Sequence, residues 1–145
     1  MNKPVQAVVL HHFNVSAERV FDAWLDPTML GRWMFGPNVR EERIVKLNLE
    51  PKMGGKFSFV VDRNDTEVDH VGEYLEIDRP RRLVFTWGTR DTFPETSKVS
   101  VEITARGEGC EVKLTHDMSP KWADFVDKAA GSWSKMLDAL DRVFL

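Results

Sequence analysis

Between Arg40 and Met118 the chain runs through six consecutive segments of strand-like character, while long helical spacing returns only from Trp122 to Phe144. The segments are about Arg40 to Leu49, Gly55 to Asp62, Glu67 to Ile77, Arg82 to Arg90, Ser97 to Arg106 and Glu111 to Met118. Alternation puts Phe57, Phe59 and Val61 on one face, and likewise Leu83, Phe85 and Trp87, Val99, Val101 and Ile103, and Val112, Leu114 and His116. Each strand therefore has one apolar side to cover. The one large cover is the C-terminal stripe of Trp122, Phe125, Val126, Ala129, Trp133, Met136, Leu137, Leu140 and Phe144, spaced as an amphipathic helix. A single helix can shield that many strands only if an antiparallel sheet curves around it. The fold class is α+β.

The N-terminal part adds a strand and two short helices. Val5 to Phe13 is Val-rich without helical spacing, which predicts a strand covered on both faces. Ser16 stands as an N-cap ahead of Val20, Phe21, Trp24 and Leu25, and Asp26-Pro27 ends this helix and opens the next, which carries Leu30 and Trp33. Met34-Phe35-Gly36-Pro37 breaks that helix. The sheet then has seven strands, with the two helices after the first.

At 145 residues, with no internal repeat or linker, the chain reads as one domain over residues 1–145. A net charge of -3 argues against nucleic acid, whose binding needs clustered Lys and Arg. Arg79, Arg81 and Arg82 do cluster, at a strand-to-strand corner that reads as a solvated loop. One cysteine, no leader-like N-terminus and apolar runs far shorter than the roughly 20 residues of a membrane span predict a soluble, cytoplasmic protein. Nothing in the sequence sets an oligomeric state.

The segments FDAWLDPTMLGRWMFGP, PKMGGKFSF, GEYLEIDRPRRLVFTW and VKLTH, and the late GSW, resemble in that order the activator of heat shock protein 90 ATPase homologue family. That family lies in the START-like, helix-grip superfamily, also called SRPBCC. The resemblance covers nearly the whole chain and implies a helix-grip fold with a deep, mostly apolar cavity between sheet and C-terminal helix. It implies little about chemistry, because one fold hosts many functions.

Two ionisable residues fall on faces read as apolar. Glu73 alternates with Val71, Leu75 and Ile77, and His116 follows Val112 and Leu114. A carboxylate on an inward face is protonated or paired with a cation; otherwise it makes a structural hydrogen bond or the face opens to solvent. Trp33 and Phe35, beside the Gly-Pro loop, are candidates for a cavity mouth, whereas Trp24 belongs to the helical stripe and the core. Phe57, Phe59, Trp87, Trp122, Phe125 and Trp133 complete the aromatic candidates for a ligand cavity, with plain core packing as the alternative.

Metal and cofactor chemistry finds no support in spacing. His11 and His12 point to opposite faces of a strand, as do His70 and Glu73. Ser132-Trp133-Ser134-Lys135 lacks the companion motifs of an S-x-x-K hydrolase, and Met53-Gly54-Gly55-Lys56-Phe57 lacks the leading Gly and following Ser or Thr of a phosphate loop. Cys110, beside Gly109 at a hairpin corner, reads as a plain thiol. The leading expectation is non-catalytic binding of a small hydrophobic or amphipathic molecule, with no cofactor or metal. The alternatives are a module that contacts a chaperone, and a cyclase- or hydrolase-type enzyme using Glu73 or His116 as acid or base.

Overall fold

The computed structural model describes residues 4–92 and 95–144. Strand β1 (Val5–Phe13) leads into α1 (Ala17–Ala23) and α2 (Pro27–Trp33). Both helices start where the sequence places their caps. Ser16 accepts from the Arg19 amide at 3.3 Å, and Asp26 accepts from the Thr28 amide at 2.9 Å, satisfying donors that a helix start leaves unpaired.

The strands β2 (Arg43–Leu49), β3 (Lys56–Arg63), β4 (Thr66–Asp78), β5 (Arg82–Thr89), β6 (Ser97–Arg106) and β7 (Gly109–Met118) follow. With β1 they form one seven-stranded sheet in the order β1-β7-β6-β5-β4-β3-β2, antiparallel at every pairing. Helix α3 (Val126–Val143) lies in the grip of this sheet and buries Trp133, Met136, Leu137 and Leu140 against it. The helix-grip architecture is thus present, with two short helices after the first strand.

Strand β1 is covered on one face only, with Ala7, Val9 and Phe13 buried and Val8 and Leu10 exposed, and not on both faces as its Val-rich sequence suggests. Two further details depart from the pattern read in the sequence. The stripe from Trp122 begins as a 3₁₀ segment, Pro120–Phe125, in which Trp122 leaves helical geometry (φ -98°, ψ 16°) and nothing is buried. Regular helix begins at Val126. The second departure is on β4. A bulge between Tyr74 and Glu76 shifts the alternation by one residue, so His70 and Tyr74 face inward before it and Ile77 packs on the core after it. Val71, Glu73 and Leu75 therefore face outward, and Leu75 is 45% exposed. The inward placement of Glu73 is corrected: Ile77 shares its face only if the bulge is ignored.

The corner arginines are held by carboxylates. Arg79 grips Asp22 through two bonds of 2.7 and 2.9 Å, Arg81 meets Asp78, and Arg82 lies between Glu76 and Glu102.

Candidate functional site

Phe57, Phe59, Trp33 and Phe35 are core. Trp33 is fully buried and donates its indole N–H to the Ala23 carbonyl at 3.1 Å. Phe35 packs on Phe59 and His70 with ring centroids 5.5 and 4.9 Å away. Neither lines a mouth, because the Gly-Pro loop folds over them. Val39 and Arg40 donate back to the Gly36 carbonyl, and the Gly36 amide donates to Glu42 at 2.8 Å.

The large apolar cavity implied by the family resemblance is filled. Between α1, α2 and the sheet there remains a space of about 10 Å³, with Trp24, Met34, Phe57, Tyr74, Phe85 and Trp87 among its walls. Aromatic rings occupy the rest: Phe57 stacks on Phe59 at 4.6 Å and meets Phe85 edge-on at 5.9 Å, and Trp87 leans on Trp133 at 5.5 Å.

An opening survives at one end of the grip. The end of β5, the turn into β6, the end of β7 and the 3₁₀ segment enclose about 260 Å³. Trp87 and His116 lie on its inner wall, Thr89, Thr92 and Glu95 on one rim, and Trp122 and Phe125 on the other. Of the predicted residues, four thus converge here: Trp87, His116, Trp122 and Phe125. The last two rings are 43% and 38% exposed and meet edge-on at 6.2 Å. Lys121 reaches across to Glu95 at 2.6 Å, tying the 3₁₀ segment to the β5–β6 turn.

His116 is the centre of a directed hydrogen-bond chain. The indole N–H of Trp133 can only donate, and it lies 3.1 Å from His116 Nδ1, which must accept. The ring proton then sits on Nε2 and is donated to Ser97 Oγ at 2.6 Å, and Ser97 donates onward to the Trp87 carbonyl at 3.0 Å. Burial lowers the His116 pKa to about 4, against a smaller opposing pull from Asp117, so the imidazole is neutral. With its one lone pair engaged by Trp133, His116 has no basic nitrogen for Ser97. The pair resembles a nucleophile and base in distance and fails as one in proton direction.

Glu73 is on the other side of the sheet. It faces out opposite Lys56, and its amide donates to Thr86 Oγ1 at 2.9 Å. There it lines an open groove of about 600 Å³ with Lys56, Ser58, Val71, Leu75 and Arg90. Glu73 and His116 are not brought together.

Two inward polar residues escaped the sequence reading. Glu42 is fully buried and receives Arg40 at 3.0 Å, Arg63 Nη2 at 2.7 Å and Nε at 2.8 Å, and the Gly36 amide. His70 donates from Nδ1 to the Phe59 carbonyl at 3.1 Å and stacks on Trp87 at 5.4 Å; burial lowers its pKa to about 4. Ser97, by contrast, was within reach of alternation, since it shares the face of Val99 and Val101. Among the described residues no group of three metal-ligating side chains forms, and no helix is long and apolar enough to cross a membrane.

Residues 14–144 match the family described as Activator of Hsp90 ATPase homolog 1-like protein. No curated protein matches the sequence. Solved structures share the fold at low identity. A Rhodobacter sphaeroides protein is 20% identical with a TM-score of 0.83, covering 99% of this chain and 97% of its own. A Staphylococcus aureus protein described as of unknown function is 19% identical with a TM-score of 0.83, covering 98% and 94%. A Nitrosomonas europaea protein is 15% identical with a TM-score of 0.81, covering 95% and 92%.

Proposed function

The chain belongs to the Activator of Hsp90 ATPase homolog 1-like family, and we propose that it binds a small amphipathic molecule at the mouth of the grip without transforming it. The carrying observation is the opening of about 260 Å³, apolar at Trp87, Trp122 and Phe125 and polar at Ser97, Thr89 and Thr92. It lies just below the range of about 300–1,000 Å³ usual for ligand pockets, which suits one ring system or a short chain better than a lipid. Catalysis is disfavoured by the proton direction at His116. A buried thiol at Cys110 fits a reducing, cytoplasmic setting.

Titration with an environment-sensitive naphthalene dye tests this reading. Saturable binding is expected, weakened about fivefold or more by Trp122→Ala, which removes an exposed ring at no cost to the core. Absence of saturation overturns it. A second reading, contact with a chaperone, is favoured by the same exposed Trp122 and Phe125 together with the filled interior. It is selected if a purified Hsp90-type chaperone binds, Trp122→Ala abolishes that binding, and no dye saturates.

A further inference from the structure

Trp24 carries a buried indole donor at the heart of the aromatic core. Its ring is 3% exposed, packed edge-on against Trp33 at 4.6 Å and near Trp133 and Phe85 at 6.1 and 6.2 Å. Its Nε1 finds no acceptor among the described residues. The two other fully interior indoles are both satisfied, Trp33 by the Ala23 carbonyl and Trp133 by His116. Buried indole N–H groups nearly always find a partner, and an unpaired one costs stability. Trp24 is also a wall of the residual interior space of about 10 Å³, which holds one water at most.

We propose that the Trp24 N–H is the polar anchor of an inner ligand position, reached from the mouth past Trp87, for a compact apolar molecule carrying one hydrogen-bond acceptor such as a ketone oxygen. The inference rests on the mouth-binding reading and adds the chemical class of the ligand and its depth. Trp87 lines both the mouth opening and the inner space, so it is the partition between them. It is only partly buried, whereas the rings beneath it are not exposed. Met34, also on the inner wall, is an unbranched thioether that repacks readily. Displacing Trp87 and Met34 joins the two spaces. The guest then has a largely apolar environment of Phe57, Phe59, Leu83 and Phe85, with the Trp24 N–H as its unpaired indole donor and Tyr74 as the other polar side chain on the wall. An acceptor oxygen placed there gains a hydrogen bond that none of the described residues supplies. A hydrocarbon of the same shape leaves the donor unpaired.

Two probes of matched shape separate these cases: 2-acetylnaphthalene, which carries a ketone, and 2-isopropylnaphthalene, which does not. In ¹⁵N-labelled wild-type protein the ketone should bind about three- to tenfold tighter than the hydrocarbon. The Trp24 indole resonance should move downfield with the ketone and stay in place with the hydrocarbon. Trp24→Phe, which keeps an apolar ring and removes the N–H, should equalise the two affinities. Equal wild-type affinities with an unmoved Trp24 resonance overturn the inner anchor, as does a ketone preference that survives in Trp24→Phe. Should Trp24→Phe not fold, the wild-type selectivity and the resonance shift decide alone. If both probes bind equally and Trp122→Ala weakens both, the mouth reading stands and the anchor falls. If neither probe saturates, both fall.

Discussion

Glu42 and Glu73 show how far one residue's role depends on partners distant in sequence. Glu42 is surrounded by two guanidinium groups and an amide, so its charge is buried and matched. Replacing it with Gln leaves Arg40 and Arg63 short of a counter-charge and should cost about 3–5 kcal/mol in urea denaturation, the usual consequence of breaking a buried pair. Glu73 faces solvent opposite Lys56, and Glu73→Gln should change stability by less than about 0.5 kcal/mol in the same measurement. The alternation in the sequence places Glu73 inward and marks nothing at Glu42. His70 and Glu73 must lie on opposite faces, but which one points inward turns on a bulge that leaves no residue signature, since Tyr74-Leu75-Glu76 contains no glycine or proline. Glu42 gave no warning either. Arg63 reaches it only after β2 and β3 have paired, a contact across 21 residues. His116 was legible because β7 is regular from end to end, with Cys110, Val112, Leu114 and Met118 buried on its face.

Helix and strand boundaries were legible where local chemistry sets them. Ser16, Asp26 and Pro27 act within two or three residues of themselves, and both short helices start at those caps. The 3₁₀ start of the last helical stretch is different, because Pro120 opens it and Trp122 and Phe125 stay on the surface beside the mouth. Hydrophobic spacing records which residues are apolar and not whether they find a core. Helix α3 does find it. It supplies Trp133, Met136, Leu137, Ala139 and Leu140 to the cluster that also holds Phe13, Val101 and Leu114, and its Asp138 and Asp141 reach His11 on β1 at 3.6 and 3.1 Å. Ending the chain after Lys121 strips the concave face of its cover while keeping every strand. The truncated protein should show no cooperative thermal transition by circular dichroism; a sharp transition would mean that the sheet folds without the helix it encloses.

At the scale of the molecule the two inward histidines make folding sensitive to mild acid. His70 and His116 sit on the inner face on either side of Trp87, one stacked on its ring and the other linked through Ser97 to its carbonyl. Burial is the main cause that lowers each pKa from 6.5 to about 4. Arg63 and Arg40 add to the effect at His70, where the Phe59 carbonyl and Glu42 oppose it, and Asp117 opposes it at His116. In the unfolded chain both rings take up a proton near pH 6.5, while in the folded protein they stay neutral down to about pH 4. Between these values the unfolded state binds more protons, so stability falls as pH is lowered through the window and is whole above it. Each histidine should remove roughly 2 kcal/mol between pH 7 and pH 5, at 1.4 kcal/mol per pKa unit. The carboxylates held low, Asp22 by its hydrogen bond with Arg79 and Glu95 by that with Lys121, lose their partners' support only in more acidic solution, so they do not mask the effect. Urea denaturation of the wild type at pH 7 and pH 5 should therefore show a drop of a few kcal/mol, and His116→Gln should recover about half of the pH dependence whatever it does to absolute stability. A wild-type stability that is flat between pH 7 and pH 5 would mean that water reaches both rings, and with them the inner wall of the mouth.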